Sequence, residues 1–230
     1  MNSIFQNSVF AGTVLSLVAY FIGIKVRARL KFGLFNPLLI AILISIALLI
    51  LTRVDYTSYN ASASFLSYFL TPATICLAVP LYEQLELLKQ NLKAVILGLL
   101  AGVLTSLTTI FALSVLFGLS HEDYVTLLPK SITTAIGISL SQEMGGYESI
   151  TVAAIIITGI LGNIFGEALC KIFKIEEPIS KGLALGCSSH AIGTSKAVEM
   201  GQIEGAMGGL AIAVSGIFTV ILAPIFMRFL

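Results

Sequence analysis

Long apolar runs separated by short polar stretches dominate the chain. Six runs, at roughly 5–24, 37–52, 61–81, 94–117, 149–170 and 205–227, are apolar enough to cross a bilayer as helices, since the hydrocarbon core takes about 20 predominantly apolar residues. Two stretches break this pattern. "LLPKSITTAIGISLSQEMGG" (127–146) and "SKGLALGCSSHAIGTSKAVEMG" (180–201) carry Lys130, Glu143, His190, Lys196 and Glu199 among many Ser, Thr and Gly. An ionisable group at membrane depth is expensive unless it faces protein or water. Irregular backbone at that depth needs protein or a cavity around it. Both stretches are therefore expected to dip into the bilayer as broken helices and turn back.

The two stretches are copies of one another. "AIGISLSQEMGGYE" begins at Ala135, and "AIGTSKAVEMGQIE" begins 56 positions later at Ala191, with Ala, Ile, Gly, Ser, Glu, Met, Gly and the last Glu in register. Lysine and arginine favour the cytoplasmic side of membrane helices. Lys25, Arg27, Arg29 and Lys31 follow the first run, which puts the N-terminus outside and Lys89 and Lys93 inside. If 127–146 re-enters, Lys171, Lys174 and Lys181 also fall inside; a full crossing would put them outside. Arg228 then ends outside, against the trend. A unit of one re-entrant segment plus one helix crosses an odd number of times, so its two copies are inverted, an arrangement found in secondary transporters. The expected fold class is an all-α polytopic membrane protein of about six transmembrane helices plus two re-entrant segments forming an inverted repeat. It is one domain over 1–230, with four helices in 1–125 and the repeated units at 126–172 and 178–229.

Composition agrees. The chain is 57% hydrophobic and 11% charged, with a mean hydropathy of +1.00, where a soluble domain carries about 25% charged residues. Its net charge of +1 gives no argument for nucleic acid or an acidic partner. Cys76, Cys170 and Cys187 sit in apolar or small-residue segments without metal-ligand spacing, and read as buried side chains. The first run has no basic n-region and is followed by "KVRARLK", so it reads as a membrane helix and not as a cleaved signal peptide.

A carboxylate ligand would need hydroxyls, free backbone amides and one or two positive charges, and helix N-termini supply the amides. Ser131, Thr133, Thr134 and Ser139 flank Gly137 in the first copy, and Ser188, Ser189, Thr194 and Ser195 flank Gly193 in the second. Gly allows a close backbone approach. His190 aligns with Thr134; it either donates to a carboxylate, carries a proton with the substrate, or is a neutral histidine bonded within the bundle. Lys196 joins this substrate-binding set, whereas Lys130, near a loop end, reads as a snorkelling lysine. Pro72 and Pro80 are expected to kink the third helix near Thr71 and Thr74, making Thr71, Pro72 and Thr74 candidates to line the cavity. Asn163 is a fourth, although it reads first as an interhelical hydrogen bond, and Glu167 reads as reaching the interface. Gly98 and Gly102, Gly162 and Gly166, Gly182 and Gly186, and Gly205 and Gly209 have the small-xxx-small spacing of helix packing. No nucleophile elbow, phosphate loop or metal cluster occurs, so no enzyme, cofactor or metal is expected.

"NPLLIAI" (36–42), "PATICLAVPLYEQ" (72–84), "LLPKSITTAIGISLS" (127–141) and "GLALGCSSHAIGTSKAVEMGQIEGA" (182–206) resemble blocks of the LrgB/CidB family of bacterial membrane proteins. The likeness spans nearly the whole chain in order. The plastid glycolate/glycerate translocators carry a similar domain as one half of a longer chain, so a holin-like LrgA/CidA-type counterpart is expected as a separate partner. The resemblance implies a multi-pass protein of the bacterial cytoplasmic membrane, either a carrier of small monocarboxylates such as glycolate, glycerate or pyruvate, or a holin-like or antiholin-like modulator of murein hydrolases and autolysis. It carries no set of catalytic residues. Homo-oligomerisation is expected from the small-residue faces.

Overall fold

The computed structural model describes residues 5–6, 8–30, 35–69, 72, 76, 79 and 82–230. Among these every regular element is helical. The chain forms two compact units, Met1–Cys76 and Leu77–Leu230.

The first unit contains α1 (Ala11–Leu30), α2 (Pro37–Thr52), α3 (Tyr56–Ala63) and a 3-10 turn at Ser64–Phe69. Asn36 starts α2: its side-chain oxygen accepts from the amides of Leu38 and Leu39 at 2.8 and 3.3 Å, and Pro37 follows at the first helical position, where its missing N–H matters least. Asp55 caps α3 in the same way through the Ser58 amide. The Gly12 amide donates to the Ser62 hydroxyl at 3.0 Å, tying α1 to α3.

The second unit contains α4 (Leu85–Phe117), α5 (His121–Leu127), α6 (Thr134–Glu143), α7 (Glu148–Ile172), α8 (Pro178–Met200) and α9 (Gln202–Phe226). Among the described residues four helices are long and apolar enough to cross a membrane: α1, α4, α7 and the stretch Gln202–Phe229. Among the expected crossings, 37–52 is a shorter apolar helix of 16 residues, and 61–81 falls in part outside the described residues. The boundaries also move. The run expected at 5–24 is helical over 11–30 and takes in Arg27 and Arg29, and the one expected at 94–117 begins at Leu85. Of the cysteines expected to be buried, Cys170 is, whereas Cys76 is exposed and Cys187 half-buried.

Neither polar stretch is a continuous helix. The first is α5, a turn over 128–133, and α6; the second is α8, which loses helical geometry at Ser189 and His190. Side-chain bonds show where each hairpin enters. At the N-terminal end of α7 the Thr126 hydroxyl accepts from the Tyr147 amide at 2.7 Å. The Thr151 hydroxyl donates to the Thr126 carbonyl at 2.9 Å and shares a 2.7 Å bond with the Ser141 hydroxyl. Both arms of the first hairpin thus leave from that end. Along the other half of α7, Asn163 donates to the Ile192 carbonyl and the Ser195 hydroxyl at 2.9 and 3.1 Å, and Glu167 pairs with Lys196 at 2.9 Å. The second arm of α8 therefore returns toward the C-terminal end of α7. The hairpins enter from opposite ends of one helix. The end of α7 that carries Lys171 also has Lys174, Lys181 and the start of α9, where Gln202 donates to Glu83 at 2.7 Å just ahead of α4.

Candidate functional site

The first turn of α6, just past the first break, and the second break itself meet on one turn of α7. A side chain at Gly137 would collide with the Ile155 side chain, while the His190 Nε2–H donates to the Ile155 carbonyl at 2.9 Å. A carbonyl can only accept, so the proton of a neutral ring sits on Nε2 and Nδ1 is left as an acceptor. His190 has φ +42° and ψ −137° and is 3% exposed. A non-glycine residue in that region is strained by about 1–3 kcal/mol. The ring bond contributes about 1 kcal/mol in return. His190→Gly should therefore be more stable than His190→Ala by about 1 kcal/mol, read from thermal midpoints in one detergent; equal midpoints would show that the backbone there is relaxed.

On the other side of the breaks lies a cavity of about 740 Å³ between α4, the first arm of α8 and the turn after α5. It begins beside Asn91, Glu177 and Ser180 at the lysine-bearing end, and ends beside Thr109, Lys130 and Ser131. Its α4 wall changes from apolar Ala94 and Gly98 to the hydroxyls of Thr105, Ser106 and Thr109. Ser188, from the second break, completes the polar end. The half-buried Lys130 ammonium donates to the Ser131 hydroxyl at 2.9 Å and has no ion pair among the described residues. Lys130 at one end, Glu177 at the other, several hydroxyls and an apolar stretch thus border one space, a set of groups chemically able to hold a small anion beside Lys130.

The expected site residues divide into three groups. Ser131 and Ser188 line the cavity. Gly137, Ser189, His190, Gly193 and Thr194 are buried behind it, where they build the breaks. A side chain at Gly193 would meet the Leu185 carbonyl at 2.5 Å, so the two arms of α8 pass closely there. The remaining expected residues described in the second unit do not line the cavity. Thr133 caps α6 without a side-chain capping bond, and Thr134 opens that helix. Ser139 and Ser195 are exposed and return their hydroxyls to the carbonyls of Ala135 and Ile192 at 3.3 and 2.7 Å. Lys196 lies in a second cavity of about 490 Å³, held by Glu167 at 2.9 Å and Glu199 at 3.5 Å. Asn163 spans α7 and α8 as expected, and Glu167 also binds Lys171 at 2.9 Å. Thr71 and Thr74 lie outside the described residues, as does Pro80; Pro72 is exposed in the first unit.

Lys130 does not snorkel: the turn over 128–133 aims it at Ser131 and the cavity. The signal available in sequence is a lysine inside a Ser/Thr-rich break with no acid at helical spacing. Gly98 and Gly102 share the spacing of packing residues but differ in role. A methyl placed on Gly98 would have nothing within 4 Å and would face the cavity, whereas Gly102 does pack, against Cys187.

The profile of the LrgB-like family matches residues 16–229. The chain is 38% identical to an "Antiholin-like protein LrgB" of Bacillus subtilis (strain 168) over 222 residues, covering 96% of each protein. It is 36% identical over the same length to proteins of that name from Bacillus cereus (strain B4264) and Bacillus anthracis (strain CDC 684 / NRRL 3495), again covering 96% of each. No solved structure matches it.

Proposed function

We propose that this chain, which belongs to the LrgB-like family, is a secondary carrier of small monocarboxylates of the glycolate, glycerate and pyruvate class in a bacterial cytoplasmic membrane. The observation that carries the reading is Lys130, a cation with no acidic partner among the described residues, facing a cavity together with Ser131 and Ser188. An isolated charge taken from water costs several kcal/mol. A substrate carboxylate between the ammonium and the hydroxyls would offset that cost, and the accessible apolar lining of Leu183 and Ala184 would take the carbon skeleton. Opposed hairpins meeting on α7 provide the two-sided frame that alternating access requires. Thr133, Thr134, His190, Gly193, Thr194 and Lys196 belong to that frame in this reading.

The test is thermal stabilisation of purified protein across two- and three-carbon acids. A specific ligand at 100 times its Kd stabilises by about 2.7 kcal/mol, whereas acetamide or lactamide of the same size should do nothing. Equal shifts from the acids and the neutral amides would refute the reading.

A second reading draws on the name that the relatives carry, antiholin-like: a regulator that would act with a separate LrgA-type membrane partner and, by its small-residue helix faces, with copies of itself. It predicts co-purification with that partner and an effect on cell lysis that survives loss of Lys130. Both can hold, because a change in intracellular acid pools can itself alter lysis.

A further inference from the structure

Positions 56 apart in the repeat are found in opposite situations. Ser180, Ala184 and Ser188 of the second copy are exposed and line the cavity. Their counterparts in the first copy, Tyr124, Leu128 and Ile132, are 0%, 1% and 2% exposed. They form an apolar cluster with Leu107 and Ile110 of α4 and Ala223 of α9, just beyond the cavity end marked by Thr109 and Lys130. The only polar atom of Tyr124's side chain is also engaged: its hydroxyl donates to the Phe226 carbonyl at 2.8 Å. The two copies are thus in different states, one with its first arm lining open space and one with its first arm packed shut.

We infer that this is the conformation open toward the lysine-bearing end, and that α5 is the gate across the opposite end, latched by the Tyr124 hydroxyl on the Phe226 carbonyl. The inference rests on the carrier reading for its purpose, and on the burial asymmetry for its content. The seal is apolar on both of its faces, so it closes without a charge that would have to be desolvated at each cycle. The Tyr124 bond adds direction, pinning α5 to the last turn of α9, while Thr126 ties α5 to the start of α7 and serves as its hinge side. Opening would separate α5 from Ile110 and Ala223 and bring Lys130 within reach of the far side.

Cys187 serves as a native reporter, since it lines the cavity near its closed end. In a Cys76→Ser, Cys170→Ala background reconstituted in vesicles, a membrane-impermeant maleimide should label Cys187 from the lysine-bearing face at least tenfold faster than from the other. Glu176→Cys and Glu148→Cys, both at exposed positions, mark the two faces, and Ser180→Cys marks the cavity mouth. Tyr124→Phe should raise labelling from the far face severalfold, and Leu128→Ser should do so more strongly. Equal labelling of Cys187 from both faces in the parent overturns the inference, as does failure to label Cys187 where Ser180→Cys reacts. Unchanged far-face labelling in both variants removes α5 as the gate. The assay needs no substrate. One-sided labelling that the variants shift, without any acid uptake, sinks the carrier reading and leaves the gate standing; uptake with two-sided labelling does the reverse.

Discussion

Lys130→Met should abolish acid-induced stabilisation and reduce uptake at least tenfold, while leaving the thermal midpoint of the free protein unchanged or raised. The side chain has no acidic partner among the described residues to lose, only a 2.9 Å bond to Ser131. Methionine keeps the unbranched apolar stem and removes a half-buried ammonium whose partial desolvation is costly, and replacing a desolvated charge by apolar volume is often neutral or stabilising. A stabilising change that destroys function is the expected mark of a group kept for binding. A tenfold loss corresponds to about 1.4 kcal/mol, well within a charge-assisted hydrogen bond to a carboxylate at about 1.5–3 kcal/mol. Lys130→Arg should retain part of the binding, because the charge survives while its geometry changes. Thermal shifts with and without acid, paired with vesicle uptake, check both halves. A Met variant that still responds to acids would move the anion elsewhere.

Gly186→Ala should destabilise the protein by about 1–3 kcal/mol through overpacking, whereas Gly98→Ala should fall within about 0.5 kcal/mol of the parent. A methyl at Gly186 would meet the Gly208 carbonyl and lie 2.7 Å from the Ala211 side chain, and backbone cannot step aside as a side-chain tip can. Gly182 is placed likewise against the Glu204 carbonyl, so the first arm of α8 lies directly on α9. In a bilayer, helices persist when their contacts are lost, so close packing carries the association. At Gly98 a methyl meets nothing within 4 Å. Denaturation of both variants in the same detergent is the comparison. Equal midpoints would mean that α8 and α9 can part at little expense.

The same pair shows what sequence can and cannot convey. Small-xxx-small spacing identifies faces able to approach closely, and at Gly182, Gly186 and Gly162 they do, the last against Ser189. The pattern does not say what the face meets, so Gly98, with the same spacing, borders open space. The broken helices are legible because polar and ionisable residues interrupt apolar runs, and the opposed entry is legible from where Lys171, Lys174 and Lys181 have to fall. The orientation of each break is not. Whether Lys130 or Lys196 points inward depends on which acid lies nearby in space: Glu167, from another helix, takes Lys196 and leaves Lys130 to the cavity. The hydroxyls of Thr105, Ser106 and Thr109 carry no local signal, because one long apolar helix holds them without any break.

Because α7 shelters both interruptions, the two hairpins face unequal histories during synthesis. Residues 178–200 leave the ribosome after α7, and find Asn163 and Glu167 already in place to receive them. Residues 121–146 come first, when α4, through Leu107 and Ile110, covers one side of the turn over 128–133 and the side that α7 will take is still open, and irregular backbone is not tolerated against lipid. The earlier hairpin is therefore fully enclosed only once Thr151 and Ile155 arrive. Correct assembly of the N-terminal copy then depends on chain that has not yet been made.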